Sequence, residues 1–352
     1  MNKNIFFQKK PLKMICLGFS SGLPILLVFS TLSVWLVKAG INRSTVTLFS
    51  WAGFAYAFKY LWSPLIDNYK LPFLKELGHR RSWLLLSQLL IILALILTAF
   101  TDPKDNLFFT ALFITMLAFF SATQDILVDA FRIESVPQSL QGPMSSMYIA
   151  GYRIAMLVAG AGSLWLASLF GNEIYDQNVW KKVYLIMSFF MLIGVSATII
   201  SEEPKLNRKF KSDNHLKFLL SIFVSVIGFI FIYSIIENPF GKEEILLSFL
   251  FSVLRLIICF IFSFSIIFLL ILIKFTPKNK ISESYLGPIL NFLKRYGKFA
   301  FLVLLLISLY RIADIVMGVM ANIFYLEKGY SISDIATYSK FFGVFATIVG
   351  GL

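Results

Sequence analysis

The chain has 352 residues, 58% of them hydrophobic and 14% charged, with a net charge of +13 at neutral pH. A soluble domain of this size holds roughly a quarter charged residues, and apolar runs of about twenty residues recur along the whole length, which a bilayer requires and a soluble core cannot absorb. These features exclude a soluble globular protein and, because the runs are continuously apolar, a transmembrane barrel.

The expected fold class is an all-α polytopic membrane protein. Its basic residues cluster between the apolar segments, where topology and anionic headgroups account for them without a nucleic-acid partner. Cys16 and Cys259 both fall in apolar segments and give no disulfide framework, and with two histidines no metal-site spacing arises. No Gly-rich phosphate loop and no Ser/His/Asp constellation is present, so neither a cofactor nor an enzymatic activity is expected. Lys9, Lys10 and Lys13 precede an apolar run too long for a signal peptide, with no small-residue cleavage site behind it.

In chain order, spans are predicted near 13–37, 44–66, 83–100, 106–130, 143–170 and 180–200. Two more follow near 217–236 and 245–273, then 299–321 and 331–352, ten in all. Alternate loops differ in basic residues. One side carries Lys3, Lys9, Lys10, Lys13, Lys70, Lys75, Arg80, Arg81, Arg132 and the clusters at 205–217 and 274–298. The other holds only Lys38, Arg43, Lys104, Lys181, Lys182, Lys242 and Lys328. The basic side is expected to be cytoplasmic, and the N-terminus with it. The predicted organisation is a six-span bundle over 1–200, basic linkers with an extra two-span hairpin over 201–298, and two spans over 299–352.

Charged and chain-breaking residues within the spans mark the candidate site. Ser20-Ser21-Gly22-Leu23-Pro24 interrupts the first span, either exposing carbonyls to a cavity or making a packing kink. Lys59 sits among Tyr56, Tyr60 and Trp62; it either holds a shielded charge in the span or snorkels about 10 Å to the headgroups. Asp67, followed across a tight loop by Arg80 and Arg81, can latch two helix ends, with solvated loop charges as the alternative. Asp125 and Asp129 lie at i and i+4 in the fourth span, on one helix face, next to Gln124. A carboxylate in hydrocarbon costs several kcal/mol, so Asp125 points to a cavity, a partner or a proton, whereas Asp129, about 6 Å nearer the helix end, can also mark the interface.

Arg153, about 15 Å into the next span, is at a depth where it could pair with Asp125, as a switch or as a lock between helices. Gly160 and Gly162 read as close helix contacts. Arg311 and Asp314 lie at i and i+3 mid-span and can pair along their helix.

Several stretches follow one another in a recognisable order: Gly18-Phe-Ser-Ser-Gly-Leu-Pro24, Phe58-Lys59-Tyr-Leu-Trp62-Ser-Pro-Leu-Ile-Asp67 and Arg80-Arg81-Ser-Trp83. Then come Ser121-Ala-Thr-Gln-Asp125-Ile-Leu-Val-Asp129-Ala, Gly151-Tyr-Arg153, Tyr310-Arg311-Ile-Ala-Asp314 and Ala346-Thr-Ile-Val-Gly350. Together they resemble the AmpG-type muropeptide permeases, a major facilitator branch that is also similar to acetyl-coenzyme A transporters. The resemblance implies a secondary transporter of the bacterial inner membrane that imports anhydromuropeptides with protons for cell-wall recycling. It implies a proton and substrate pathway of Asp125, Asp129, Arg153, Lys59, Gln124, Arg311 and Asp314, with Asp67, Arg80 and Arg81 as the cytoplasmic gate. It implies two six-span bundles. Measured against that plan the hairpin at 217–273 is additional, and the chain ends inside the eighth conserved span. The alternatives are a subunit of a split transporter completed by a second polypeptide, a non-transporting remnant, or a carrier of another cargo such as acetyl-coenzyme A.

Overall fold

The computed structural model describes residues 9–71, 74–171, 175–204, 215–240, 244–275, 287–343 and 346. Among these, every regular element is a helix and no strand occurs. Among the described residues, six segments are long and apolar enough to cross a membrane: Lys10–Lys38, His79–Ala99, Leu107–Ser135, Gln138–Phe170, Gln177–Ile200 and Leu246–Leu272. The protein is a multi-pass membrane protein.

The first span is α1 (Lys9–Val28) continued by α2 (Ser30–Lys38). Pro24 lies inside α1, where it lacks the N–H that the Ser20 carbonyl would accept. The helix nevertheless runs on to Val28 and breaks at Phe29, whose ψ is −75°. The second predicted span is a chain of short pieces instead of one helix. It comprises α3 (Arg43–Leu48), a 3-10 turn (Phe49–Ala52), α4 (Gly53–Ala57), a second 3-10 turn (Lys59–Leu61) and α5 (Ser63–Asn68). Its β-branched, aromatic, glycine and proline residues are weak helix formers, so no single register is enforced.

Next come α6 (His79–Ala99), α7 (Leu107–Ser135) and α8 (Gln141–Leu157), the last widening through a π-helical turn at Val158–Gly162 into α9 (Ser163–Phe170). The bundle continues with α10 (Gln177–Phe190) and α11 (Leu192–Ile200). Beyond it lie α12 (His215–Ile235), α13 (Ile245–Leu272), α14 (Gly287–Tyr296) and α15 (Ala300–Glu327). Last is α16 (Ile332–Asp334), which runs into a π-helical stretch, Ile335–Phe342.

Two compact units result, one of residues 1–66, 70–208 and 304–352, the other of 67–69 and 209–303. The segment from 304 onward therefore packs with the first bundle. In that unit the tightest interface is α1 on α8. Gly18 and Gly22 abut the backbone of Tyr148 and Tyr152, and Gly151 abuts that of Ile15, so a Cβ at any of the three would strike main chain. Of the two readings of the Ser20–Pro24 stretch, its glycine thus serves helix packing. Gly160 likewise meets Leu26, whereas Gly162 faces only its own helix, so one of the two glycines makes the predicted contact. Toward one end of the bundle Trp35 stacks on Trp180, with ring centroids 5.7 Å apart and planes 10° from parallel. In the second unit α12 and α13 form the hairpin. Arg255 lies over the Tyr233 ring at 3.7 Å and donates to the Tyr233 carbonyl, so its charge is spent on its neighbour helix.

Candidate functional site

The broken second span decides where its lysine goes. At Phe58 the backbone leaves helical geometry (φ −99°, ψ 9°), and Lys59 opens the following 3-10 turn. Its ammonium reaches Asp125 of α7, with Nζ 3.7 Å from Oδ2. The lysine side chain is 34% exposed and the carboxylate 12%, so this ion pair joins a wetter edge to a buried interior. Next to Asp125, the Gln124 amide donates to the Ser20 hydroxyl at 3.0 Å and the Ser21 hydroxyl at 3.3 Å. The serines that accompany the glycines of α1 thereby turn toward α7. Trp62 Nε1 donates to Thr123 at 3.1 Å and closes the other flank.

This cluster is under-satisfied. Among the described residues, Asp125 Oδ1 and Gln124 Oε1 are buried without a hydrogen-bond partner. Native interiors leave few such groups unpaired, because each costs about 1–3 kcal/mol. A polar pocket of this kind suits water, a proton or a polar ligand group.

A second cluster, at the start of α6, is built to the opposite standard. Arg80 is 2% exposed and donates from Nε at 2.8 Å and from Nη2 at 2.6 Å to the two carboxylate oxygens of Glu134, at the end of α7. The Arg80 and Arg81 backbone N–H groups donate to the Glu203 carboxylate at 2.8 and 3.0 Å. Glu203 therefore caps the α6 N-terminus, where free N–H groups and the helix dipole favour an anion. Gly78, at φ +91°, precedes it, and a Cβ there would occupy the space the Glu203 side chain takes. The Arg81 guanidinium finishes on the Thr198 and Ile199 carbonyls of α11 at 3.0 and 2.5 Å.

A third set of contacts ties α15 to the first span. Asn322 is fully buried; its amide donates to the Ser30 carbonyl at 2.9 Å, the Ser30 hydroxyl at 3.0 Å and the Ser33 hydroxyl at 3.1 Å. One turn further, Glu327 pairs with Arg43. Trp165 Nε1 donates to Thr337 at 3.2 Å. At the Trp35–Trp180 end, the Tyr175 hydroxyl donates to Asp102 at 2.7 Å, and burial together with that carboxylate raises its phenol above the ordinary range.

Several expectations about individual residues change. The cation facing Asp125 is Lys59, so Lys59 does not spend its charge on the headgroups and the Asp125–Arg153 pair does not form. Arg153 Nη1 instead lies 3.9 Å from the Met156 sulfur, and among the described residues it has no carboxylate partner. Asp129, 48% exposed, pairs with Arg132 at 3.5 Å on its own helix, which matches the interfacial alternative. Asp67 lies in the last turn of α5, and Arg80 and Arg81 hold Glu134 and Glu203. The side chains of Arg311 and Asp314 lie outside the described residues. Sequence reasoning passed over Glu134, Glu203 and Asn322. Glu134 and Asn322 carried a usable signal, since each is a polar residue within or closing an apolar helix.

Residues 14–352 match the Major Facilitator Superfamily. The chain belongs to that family. It is 32% identical to AmpG 4 of Rickettsia felis over 347 residues, covering 99% of this chain and 67% of that protein. It is 37% identical over 200 residues to the anhydromuropeptide permease of Escherichia coli K12, covering 57% of this chain and 39% of the permease. AmpG 3 of Rickettsia prowazekii is 30% identical over 342 residues, 96% of this chain and 64% of that protein. This major facilitator chain is thus a relative of the AmpG permeases, and it spans about two thirds of the length of its Rickettsia relatives.

Proposed function

We propose that this chain works in the bacterial inner membrane, N-terminus inside, as a secondary carrier that imports anhydromuropeptides together with protons. The cargo is taken from the name of the Escherichia coli relative. The coupling rests on one observation, the buried Asp125 carboxylate 3.7 Å from the Lys59 ammonium, with its Oδ1 unpartnered among the described residues.

In this reading Asp125 is the proton site and Lys59 its counter-ion. With Asp125 ionised the pair is neutral and holds the broken second span against α7. Protonation removes the counter-charge and leaves the Lys59 ammonium for an anionic group, and a peptide-bearing sugar brings carboxylates. One inward charge is worth about 2.3 kcal/mol per 100 mV, enough to drive accumulation. Gln124, hydrogen-bonded to Ser20 and Ser21, transmits the state of α7 to α1. Arg153, a cation without an acid among the described residues, lines the same route, with Arg311 and Asp314 as its continuation on α15 and Asp129 at its mouth. Asp67, Arg80 and Arg81 belong to the cytoplasmic closure.

Uptake of labelled anhydromuropeptide into energised right-side-out vesicles tests the reading. Asp125→Asn is expected to abolish the response to a proton gradient while leaving counterflow of cargo measurable. An Asp125→Asn carrier whose uptake follows the gradient as wild type does would remove Asp125 from the coupling. Acetyl-coenzyme A in the same assay distinguishes the cargo.

A further inference from the structure

Within the basic stretch that precedes α15, Gly287–Tyr296 is an amphipathic helix. On α14, Phe292, Leu293 and Tyr296 recur at i, i+1 and i+4, one face of a 3.6-residue period. Asn291, Lys294 and Arg295 occupy the opposite face, Lys298 follows in the next turn, and no acidic residue interrupts 287–299. The apolar face is exposed, Leu293 at 43% and Tyr296 at 41%, with Phe299 of the following turn at 72%. Phe292 and Tyr296 already lie ring to ring, with centroids 4.8 Å apart.

Position supplies the occupant. Only Gly297–Phe299 separates α14 from α15, with Gly297 at φ +52° making the turn. Three residues reach at most about 10 Å, so the C-terminal end of α14 stays near the point where the chain enters α15. α15 has 28 residues, about 42 Å of helix, ample to cross the hydrocarbon. A helix held there with one greasy and one basic face lies in the plane of the interface, apolar side toward the acyl chains.

We propose that α14 is an interfacial anchor that binds anionic phospholipid headgroups through Lys294, Arg295 and Lys298. The apolar face sets its depth, and the three cations, within about one turn of one another, make that docking depend on lipid charge.

The test uses the full chain, with Cys16→Ser and Cys259→Ser, in nanodiscs of phosphatidylcholine alone or with phosphatidylglycerol. Single cysteines replace Leu293 on the apolar face and Asn291 on the polar face, and both react with a neutral polyethylene-glycol maleimide. With phosphatidylglycerol, Leu293→Cys is expected to react at least about tenfold more slowly than Asn291→Cys. Replacing Lys294, Arg295 and Lys298 by Gln should raise the Leu293→Cys rate by about fivefold per charge removed. The single variants read the same effect in smaller steps should the triple variant fold poorly. Equal rates at the two positions overturn the proposal, as does protection that is the same in both lipids or that survives the loss of the cations.

Discussion

Arg80–Glu134 and Lys59–Asp125 are both ion pairs within one compact unit, and they are constructed in opposite ways. The first is bidentate, 2.6 and 2.8 Å, with the arginine 2% exposed and the neighbouring Glu203 consuming the backbone donors that remain. The second is a 3.7 Å pair with the lysine a third exposed and carboxylate and amide oxygens left over. A saturated pair has one low-energy arrangement and acts as a lock. An unsaturated one keeps capacity for a proton, water or ligand, and the fold tolerates the cost of about 1–3 kcal/mol per orphaned group because something uses it. The difference separates a part that must hold from a part that must change.

Breaking the lock should have the largest effect. Arg80→Ala removes the bidentate partner of the buried Glu134 carboxylate, a loss of about 3–5 kcal/mol. It is expected to show as loss of the monodisperse peak on size exclusion, with Arg80→Lys intermediate because a lysine cannot make the fork. A well-behaved Arg80→Ala protein would show that Glu134 has another partner. Next, Gly151→Val pushes a side chain into the Ile15 backbone. About 1–3 kcal/mol of overpacking should lower the melting temperature in detergent, and an unchanged one would mean that α1 and α8 are not in close contact.

Asn322→Leu removes three hydrogen bonds to Ser30 and Ser33, at a cost of about 1–3 kcal/mol. Its sharper readout is accessibility, since a cysteine at Ser33 should label faster in that background if Asn322 holds the first span to α15. The smallest stability effect belongs to the candidate site. A double-mutant cycle between Lys59→Met and Asp125→Asn is expected to give a coupling of about 1 kcal/mol or less, discounted for the exposure of the lysine. A coupling as large as that of the lock would make Lys59–Asp125 structural, and the comparison between the two pairs would fail.

Much of the site could be read from the chain because hydropathy makes an anomaly visible. Asp125 stands out in an apolar helix whatever surrounds it, and its i, i+4 relation to Asp129 needs only the helical period. Which cation meets it was not readable. Depth counted in helical rises favoured Arg153, but that count assumes straight, continuous helices. The second span is broken at Phe58, and the break carries Lys59 to α7 instead. At the loop end the chain draws attention to Asp67, Arg80 and Arg81 and gives no sign of two remote acids. The acids on Arg80 and on the α6 N-terminus come from Glu134, 54 residues away, and Glu203, 123 residues away. Pro24 illustrates the converse, since a helix-breaking residue sits inside α1 and the break falls at Phe29, where the packing permits it.

By itself the sequence determined that this is a multi-pass helical membrane protein of the major facilitator kind, where its apolar segments lie, and which carboxylate is out of place in them. These are sums over neighbouring residues, and transfer to a bilayer is additive along the chain. Only the tertiary structure decided that Lys59 faces Asp125, that glycines on α1 and α8 bring two backbones together, and that Glu134 and Asn322 fasten helices to one another. Those outcomes depend on distances between residues remote in the chain. Such distances are set by breaks, close approaches and packing that no local sum contains.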